Sequence, residues 1–141
     1  MKRFLTHIVA MLGFLWLLSG CGKNENCAWT IGLTDFSIDP NSALYSGLNV
    51  VGGHMYLTGG ARGVIVVRTA YDHFVAFERS CPLDGAAVEI TADWGASLLE
   101  CPECHSLFIA ETDGMPMDGS ATTCPLYQYN TSYNGGILYV Y

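Results

Sequence analysis

The stretch that decides the fold class is Gly63-Val64-Ile65-Val66-Val67-Arg68-Thr69-Ala70-Tyr71-Asp72-His73-Phe74-Val75-Ala76-Phe77-Glu78-Arg79. It contains two runs rich in β-branched and aromatic residues, Val64 to Arg68 and His73 to Arg79, and neither has the i, i+3, i+4 spacing of an amphipathic helix. The second run alternates only loosely, so burial on both faces is expected there. Working outward, runs of the same kind lie at Trp29 to Leu33, Leu48 to Leu57 (interrupted at Gly52-Gly53), Val88 to Thr91, Ser97 to Glu100, Leu107 to Ala110, Leu126 to Tyr133 and Ile137 to Tyr141. Gly59-Gly60, Asp113-Gly114 and Asn134-Gly135-Gly136 supply turns, because glycine and asparagine accept positive φ. No helical pattern of any length follows Cys21. The class is therefore all-β.

The amino terminus reads as a targeting segment. Met1-Lys2-Arg3 is basic, and Ile8 to Leu18 is almost continuously apolar, too short for a membrane span of about 20 residues. Residues 1–20 are expected to be a secretory signal peptide. Leu18-Ser19-Gly20-Cys21 resembles the lipobox of bacterial lipoproteins, which implies cleavage before Cys21 and lipidation of its sulfur. An uncleaved anchor is disfavoured because Lys23, Asn24, Glu25 and Asn26 follow at once. Residues 21–27 read as a polar tether and 28–141 as one domain. Several acyl chains on one cysteine hold a protein firmly at a membrane. Gly22, where aspartate marks inner-membrane retention in some bacteria, points to the outer membrane of the cell envelope.

After cleavage, thirteen acidic residues face four basic ones (Lys23, Arg62, Arg68 and Arg79), a formal charge of −9. Such a surface repels phosphate backbones, so nucleic acid is not an expected partner. The partners expected are the membrane, through the lipid, and an envelope protein.

The segment richest in chemistry runs from Cys81 to Tyr129. It opens with Cys81-Pro82-Leu83-Asp84-Gly85 and continues with Cys101-Pro102-Glu103-Cys104-His105-Ser106-Leu107-Phe108. It then carries Gly119-Ser120-Ala121 and Pro125-Leu126-Tyr127-Gln128-Tyr129. This resembles the Rieske domain, in which a C-x-H loop and a C-P-x-H loop hold a [2Fe-2S] cluster and a later proline-containing segment covers it. The resemblance implies an antiparallel β-sandwich with a small cluster-binding-type subdomain, over roughly Asn49 to Tyr141. Within the family the chain looks most similar to Rieske-like lipoproteins of Bacteroidetes, through Leu44-Tyr45-Ser46-Gly47-Leu48-Asn49 and Gly59-Gly60-Ala61-Arg62-Gly63.

A Rieske centre needs two thiolates on one iron and two imidazoles on the other. Cys81 and Cys101 match the thiolate positions, but Leu83 and Cys104 occupy the histidine positions. His105 lies one residue late, where the family has glycine. A cluster would need His105 brought round by a bulge and Asp84 as an oxygen ligand. The cofactor-binding candidates, if a cluster is bound, are Cys81, Cys101, Cys104 and His105.

Without a cluster, the resemblance brings Cys81, Cys101, Cys104 and Cys124 together at the tip, Cys124 lying on the covering segment. In an oxidising compartment they are expected to form disulfides, for example Cys81 to Cys101 and Cys104 to Cys124. Each would close a loop of about 20 residues, contributing roughly 3 kcal/mol. Alternatively the four sulfurs form a tetrahedral zinc or iron site, for which the single C-x-x-C of Cys101 and Cys104 is a moderate signal.

His54 and His73 read as packed or solvent-facing side chains. Asp84, Glu100, Glu103 and Glu111 form no acid–base pair. No G-x-S-x-G, H-E-x-x-H or phosphate-loop pattern occurs, and stand-alone catalysis is not expected. Two functions remain open: a disulfide-stapled structural or interaction module without a working cluster, and an electron-transfer protein with an atypical [2Fe-2S] centre.

Overall fold

The structure is a computed structural model and describes residues 27–91 and 98–141. The expected signal peptide, residues 1–20, and Cys21 lie outside the described residues. The chain is all-β and antiparallel, as expected. In order its strands are β1 (Phe36–Ile38), β2 (His54–Leu57), β3 (Val64–Ala70), β4 (His73–Glu78), β5 (Glu89–Ile90), β6 (Leu98–Glu100), β7 (Leu107–Ile109), β8 (Met115–Pro116), β9 (Gln128–Tyr129), β10 (Thr131–Asn134) and β11 (Ile137–Val140). They form three sheets, ordered β2-β3-β4-β9, β1-β11-β10 and β5-β6-β7-β8.

The β2-β3-β4-β9 sheet lies in the middle, which explains the continuous apolar runs of β3 and β4. Ile65, Val67, Val75 and Phe77 face one core with Val88, Leu99, Phe108 and Leu126 of the β5–β8 side. The alternate residues Val64, Val66, Phe74 and Ala76 face a second core with Ile38, Leu138 and Val140 of the β1-β11-β10 sheet. Both faces of β4 are buried, as its loose alternation implied. Each fully buried Val, Ile or Phe contributes roughly 1.5–3 kcal/mol.

Three expected strands are redrawn. Among the described residues Trp29 to Leu33 pairs with no strand, and the indole N–H of Trp29 donates instead to the Pro125 carbonyl at 2.7 Å. Only His54–Leu57 of the Leu48 to Leu57 run is a strand, because a 3₁₀ turn, Ala43–Leu48, takes its beginning. The Leu126 to Tyr133 run divides at Asn130. There the chain leaves the middle sheet, where β9 pairs with β4, and joins the outer one, where β10 pairs with β11. Backbone exchange between Asn130 and Tyr141 holds the crossing point.

The end of β4 supplies a buried carboxylate. Glu78, fully buried, accepts from the backbone N–H groups of Ala61 (2.6 Å), Arg62 (2.9 Å), Ser80 (3.1 Å) and Gly32 (3.4 Å), and from the Tyr129 hydroxyl (2.8 Å). Burial pulls its pKa upward, but the donors from Ala61, Arg62, Tyr129 and Ser80 outweigh that and hold it below the ordinary carboxylate value. Tyr129 is pushed up to about 12, by burial first and then by the Glu78 carboxylate, so it remains a donor. Gly60, at φ +62°, leaves room for this arrangement, since a Cβ there would collide with the Glu78 carboxylate.

Candidate metal centre

Two loops project from the β5–β8 side, and their backbones repeat one pattern. Ser80 bridges to Ala87 across the first loop, and Glu100 pairs with Leu107 across the second. The Cys81 N–H donates to Ala86 O at 2.8 Å, and the Cys101 N–H to Ser106 O at 3.0 Å. The Gly85 N–H donates to Cys81 O at 2.9 Å, and the His105 N–H to Cys101 O at 3.0 Å. Both loops then turn through positive φ, +75° at Gly85 and +56° at His105. The amides of Leu83 and Asp84 point to the Cys81 sulfur, as those of Glu103 and Cys104 point to the Cys101 sulfur. The sequence Cys-Pro-x-x, followed by a residue able to turn left-handed, thus builds the same sulfur cradle twice.

In each cradle the fourth residue faces the same centre as the first. The Cys81, Cys101 and Cys104 sulfurs and a carboxylate oxygen of Asp84 all lie within 4.8 Å of one another. Cys81 Sγ is 3.7 Å from Cys104 Sγ, and Cys101 Sγ lies 3.4 and 3.3 Å from the two Asp84 oxygens. Cys81 and Cys101 are buried, Cys104 is half-buried and Asp84 is exposed. Burial pushes the Cys81 thiol far above the usual thiol range and raises Cys101 too, against the opposing pull of the loop amides. Partial burial works upward on Asp84, but the Ala86 N–H and the thiols of Cys104, Cys101 and Cys81 bring its carboxyl below the usual range. Three thiols and one carboxylate around one point form a donor set suited to a thiolate-preferring cation.

Several expectations change here. Cys124 does not join the other three sulfurs. It is bonded to Cys27, with Cα atoms 5.5 Å apart, while Cys81, Cys101 and Cys104 are free thiols. The pairings Cys81 to Cys101 and Cys104 to Cys124 are therefore not formed, and the expected four-sulfur site is replaced by three sulfurs with Asp84. The reason is positional: Cys124 lies beside Pro125, which Trp29 holds, so at Cys124 the covering segment meets the amino-terminal strap. His105 also leaves the candidate set, since its left-handed backbone turns the ring outward, where Nδ1 meets Glu100 Oε1 at 3.0 Å. Leu83, at the first histidine position, is 50% exposed and contributes only its amide. Ser106, which sequence reasoning missed, is buried, and its hydroxyl accepts from Cys104 Sγ at 3.2 Å and from the Ala121 N–H at 3.1 Å. It links the second loop to the Gly119-Ser120-Ala121 segment.

The [2Fe-2S] group that the Rieske resemblance implies does not fit this geometry. In that arrangement Cys81 and Cys101 would share one iron, and Asp84 and Cys104 the other, with bridging sulfides between. The pairs that ought to be held apart by the cluster, Cys81 with Cys104 and Cys101 with Asp84, are the pairs in contact.

No protein-family model matches the sequence, and no curated protein does. Similar chains occur among solved structures. One belongs to the "Complex of reduced oxygenase and oxidized ferredoxin in carbazole 1,9a-dioxygenase". It is 26% identical, with 63% of this chain and 80% of that chain covered, at a TM-score of 0.48. Another is the "Ferredoxin of carbazole 1,9a-dioxygenase from Nocardioides aromaticivorans IC177". It is 22% identical, with 64% and 86% covered, at a TM-score of 0.46. At these TM-scores neither likeness assigns a family or an activity.

Proposed function

We propose that this chain is an exported, lipid-anchored domain of the bacterial cell envelope, Rieske-like in architecture, and that its tip binds metal in place of an ordinary Rieske centre. One observation carries the metal reading: the three thiols left free lie with Asp84 inside a 4.8 Å group, while the covering segment's cysteine is used elsewhere. Had the tip been a disulfide staple, those thiols would have been the ones consumed. The Cys27–Cys124 bond supports export, since such a bond persists in oxidising compartments. The likeness of the cysteine loops to those of Rieske domains supports the architecture, and Leu44 to Asn49 with Gly59 to Gly63 supports the kinship with Bacteroidetes lipoproteins. The domain acts as a bound partner or redox-inert module for another envelope protein, with no turnover of its own.

The test is metal retention by the mature chain purified without oxygen. Wild type is expected to keep bound transition metal through desalting, and Cys81→Ser with Cys101→Ser to lose it. Equal, negligible metal in both proteins would overturn the reading. For the anchor, Cys21→Ser is expected to abolish fatty-acid labelling, and unchanged labelling would remove that part.

A further inference from the structure

We infer that the tip takes a single tetrahedral divalent ion of zinc size, held by Cys81, Asp84, Cys101 and Cys104, and not a two-iron cluster. This rests on the metal-binding reading above and narrows it to one ion and one ligand set.

The distances set the size of the occupant. A tetrahedral ion with metal–sulfur bonds of about 2.3 Å separates its sulfurs by about 3.8 Å, and a sulfur from an oxygen ligand by about 3.5 Å. The Cys81–Cys104 and Cys101–Asp84 separations, 3.7 Å and 3.3 Å, match those two edges. Every other edge lies within 4.8 Å, so the donors need to close by no more than about an ångström. A bridged two-metal unit has no such common centre, because ligands of its opposite metals cannot all approach one another this closely.

The repeated loops supply the symmetry that such an ion requires. Each cradle offers two donor atoms, from its first and fourth residues, and the loops face each other, so the two pairs complete one tetrahedron. The amides of Leu83, Asp84, Glu103 and Cys104 point at the two first-position sulfurs, where they would hydrogen-bond a metal-bound sulfur and fix its direction. Binding replaces three S–H bonds by three sulfur–metal bonds and releases three protons to water, while Asp84 adds its oxygen already ionised. Three thiolates select zinc or ferrous iron over magnesium or calcium, which prefer oxygen shells. Asp84 is the one exposed ligand, so the ion enters and leaves on its side.

The experiment uses the mature chain, purified anaerobically from cells supplied with both zinc and iron. Metal and acid-labile sulfide are counted, and cobalt is then exchanged into the site. One metal equivalent without sulfide, and a cobalt spectrum of tetrahedral thiolate type, are expected. Asp84→Asn should weaken cobalt binding at least about tenfold, since even outer partners of a ligand are worth about 10–100-fold. Asp84→Cys should restore or tighten it and intensify the sulfur-to-cobalt absorption. Two irons with two sulfides per chain would overturn the single-ion inference and leave the metal-binding reading standing. A metal-free wild type that cobalt fails to load would overturn both.

Discussion

Two carboxylates on either side of Cys81 show how differently this domain uses the same group. Glu78 is fully buried and accepts five hydrogen bonds, four of them from backbone amides and one from the Tyr129 hydroxyl. Asp84 is exposed, accepts one backbone bond, from Ala86 at 2.9 Å, and otherwise faces only thiols. Both are held below the ordinary carboxylate value. A lowered pKa alone therefore does not mark a functional site; the identity of the donors does. Backbone amides around Glu78 signify structure, whereas thiols around Asp84 are what the proposed metal site requires.

The contrast is easiest to break at Glu78. Glu78→Ala would strand two buried donors, the Ser80 N–H and the Tyr129 hydroxyl, and loosen three part-buried amides, and is expected to cost about 3–5 kcal/mol, read as a lowered denaturation midpoint. The native contribution is also pH-dependent. Because the folded pKa lies below the unfolded value of about 4.5, the stabilisation is complete above that pH and is lost as pH falls through the folded value. Wild type should lose stability progressively below about pH 4.5, and Glu78→Gln should show a shallower acid limb. A variant as stable as wild type at pH 7 would make Glu78 incidental.

Next in size is the Cys27–Cys124 bond, which closes a loop spanning 97 positions. Loop-closure entropy for about 100 residues is roughly 4.7 kcal/mol, and measured values more often fall at about 2–4. Cys27→Ser with Cys124→Ser should lose stability in that lower range yet leave the three tip thiols, and their metal, unchanged. If the metal disappeared with the disulfide, Cys124 would have a part in the site after all.

Asp84→Asn should behave opposite to Glu78→Ala, changing the stability of the metal-free domain by less than about 1 kcal/mol while weakening metal binding. The smallest effect belongs to the loops' other difference. His105→Gly would place glycine at a positive φ, as at Gly85, gaining up to about 1 kcal/mol of backbone relief against the lost Glu100 contact. Metal content should not change, because the imidazole points away from the sulfurs.

Some elements of the fold were legible in the sequence and others were not. β3 and β4 were legible because a strand buried on both faces writes its burial directly as an apolar run. β1, three residues long, offers too short a period, and Trp29 to Leu33 has strand composition but spends it on a side-chain anchor. At the tip, the convergence of Cys81, Cys101 and Cys104 was legible through the resemblance to the Rieske loops, but they were expected to be joined by Cys124 and oxidised, and they are free. The step from Cys81-Pro82 to Cys101-Pro102 was the signal that could have fixed the fourth ligand, since it sets Asp84 against Cys104 and Gly85 against His105. Alignment to a C-x-H loop put Leu83 at the ligand position and left Asp84 only as a stand-in for the missing histidine. Cys124 was misassigned because nothing local tells a cysteine that its partner lies at the far end of the domain.

Whether one ion sits among three sulfurs and one oxygen is decided by X-ray absorption at the metal edge of the anaerobically purified protein. Three sulfurs at about 2.3 Å and one oxygen at about 2.0–2.2 Å are expected around the metal, with no second metal nearby. A short metal–metal distance with bridging sulfides, or an imidazole from His105 bound to the metal, would contradict that site.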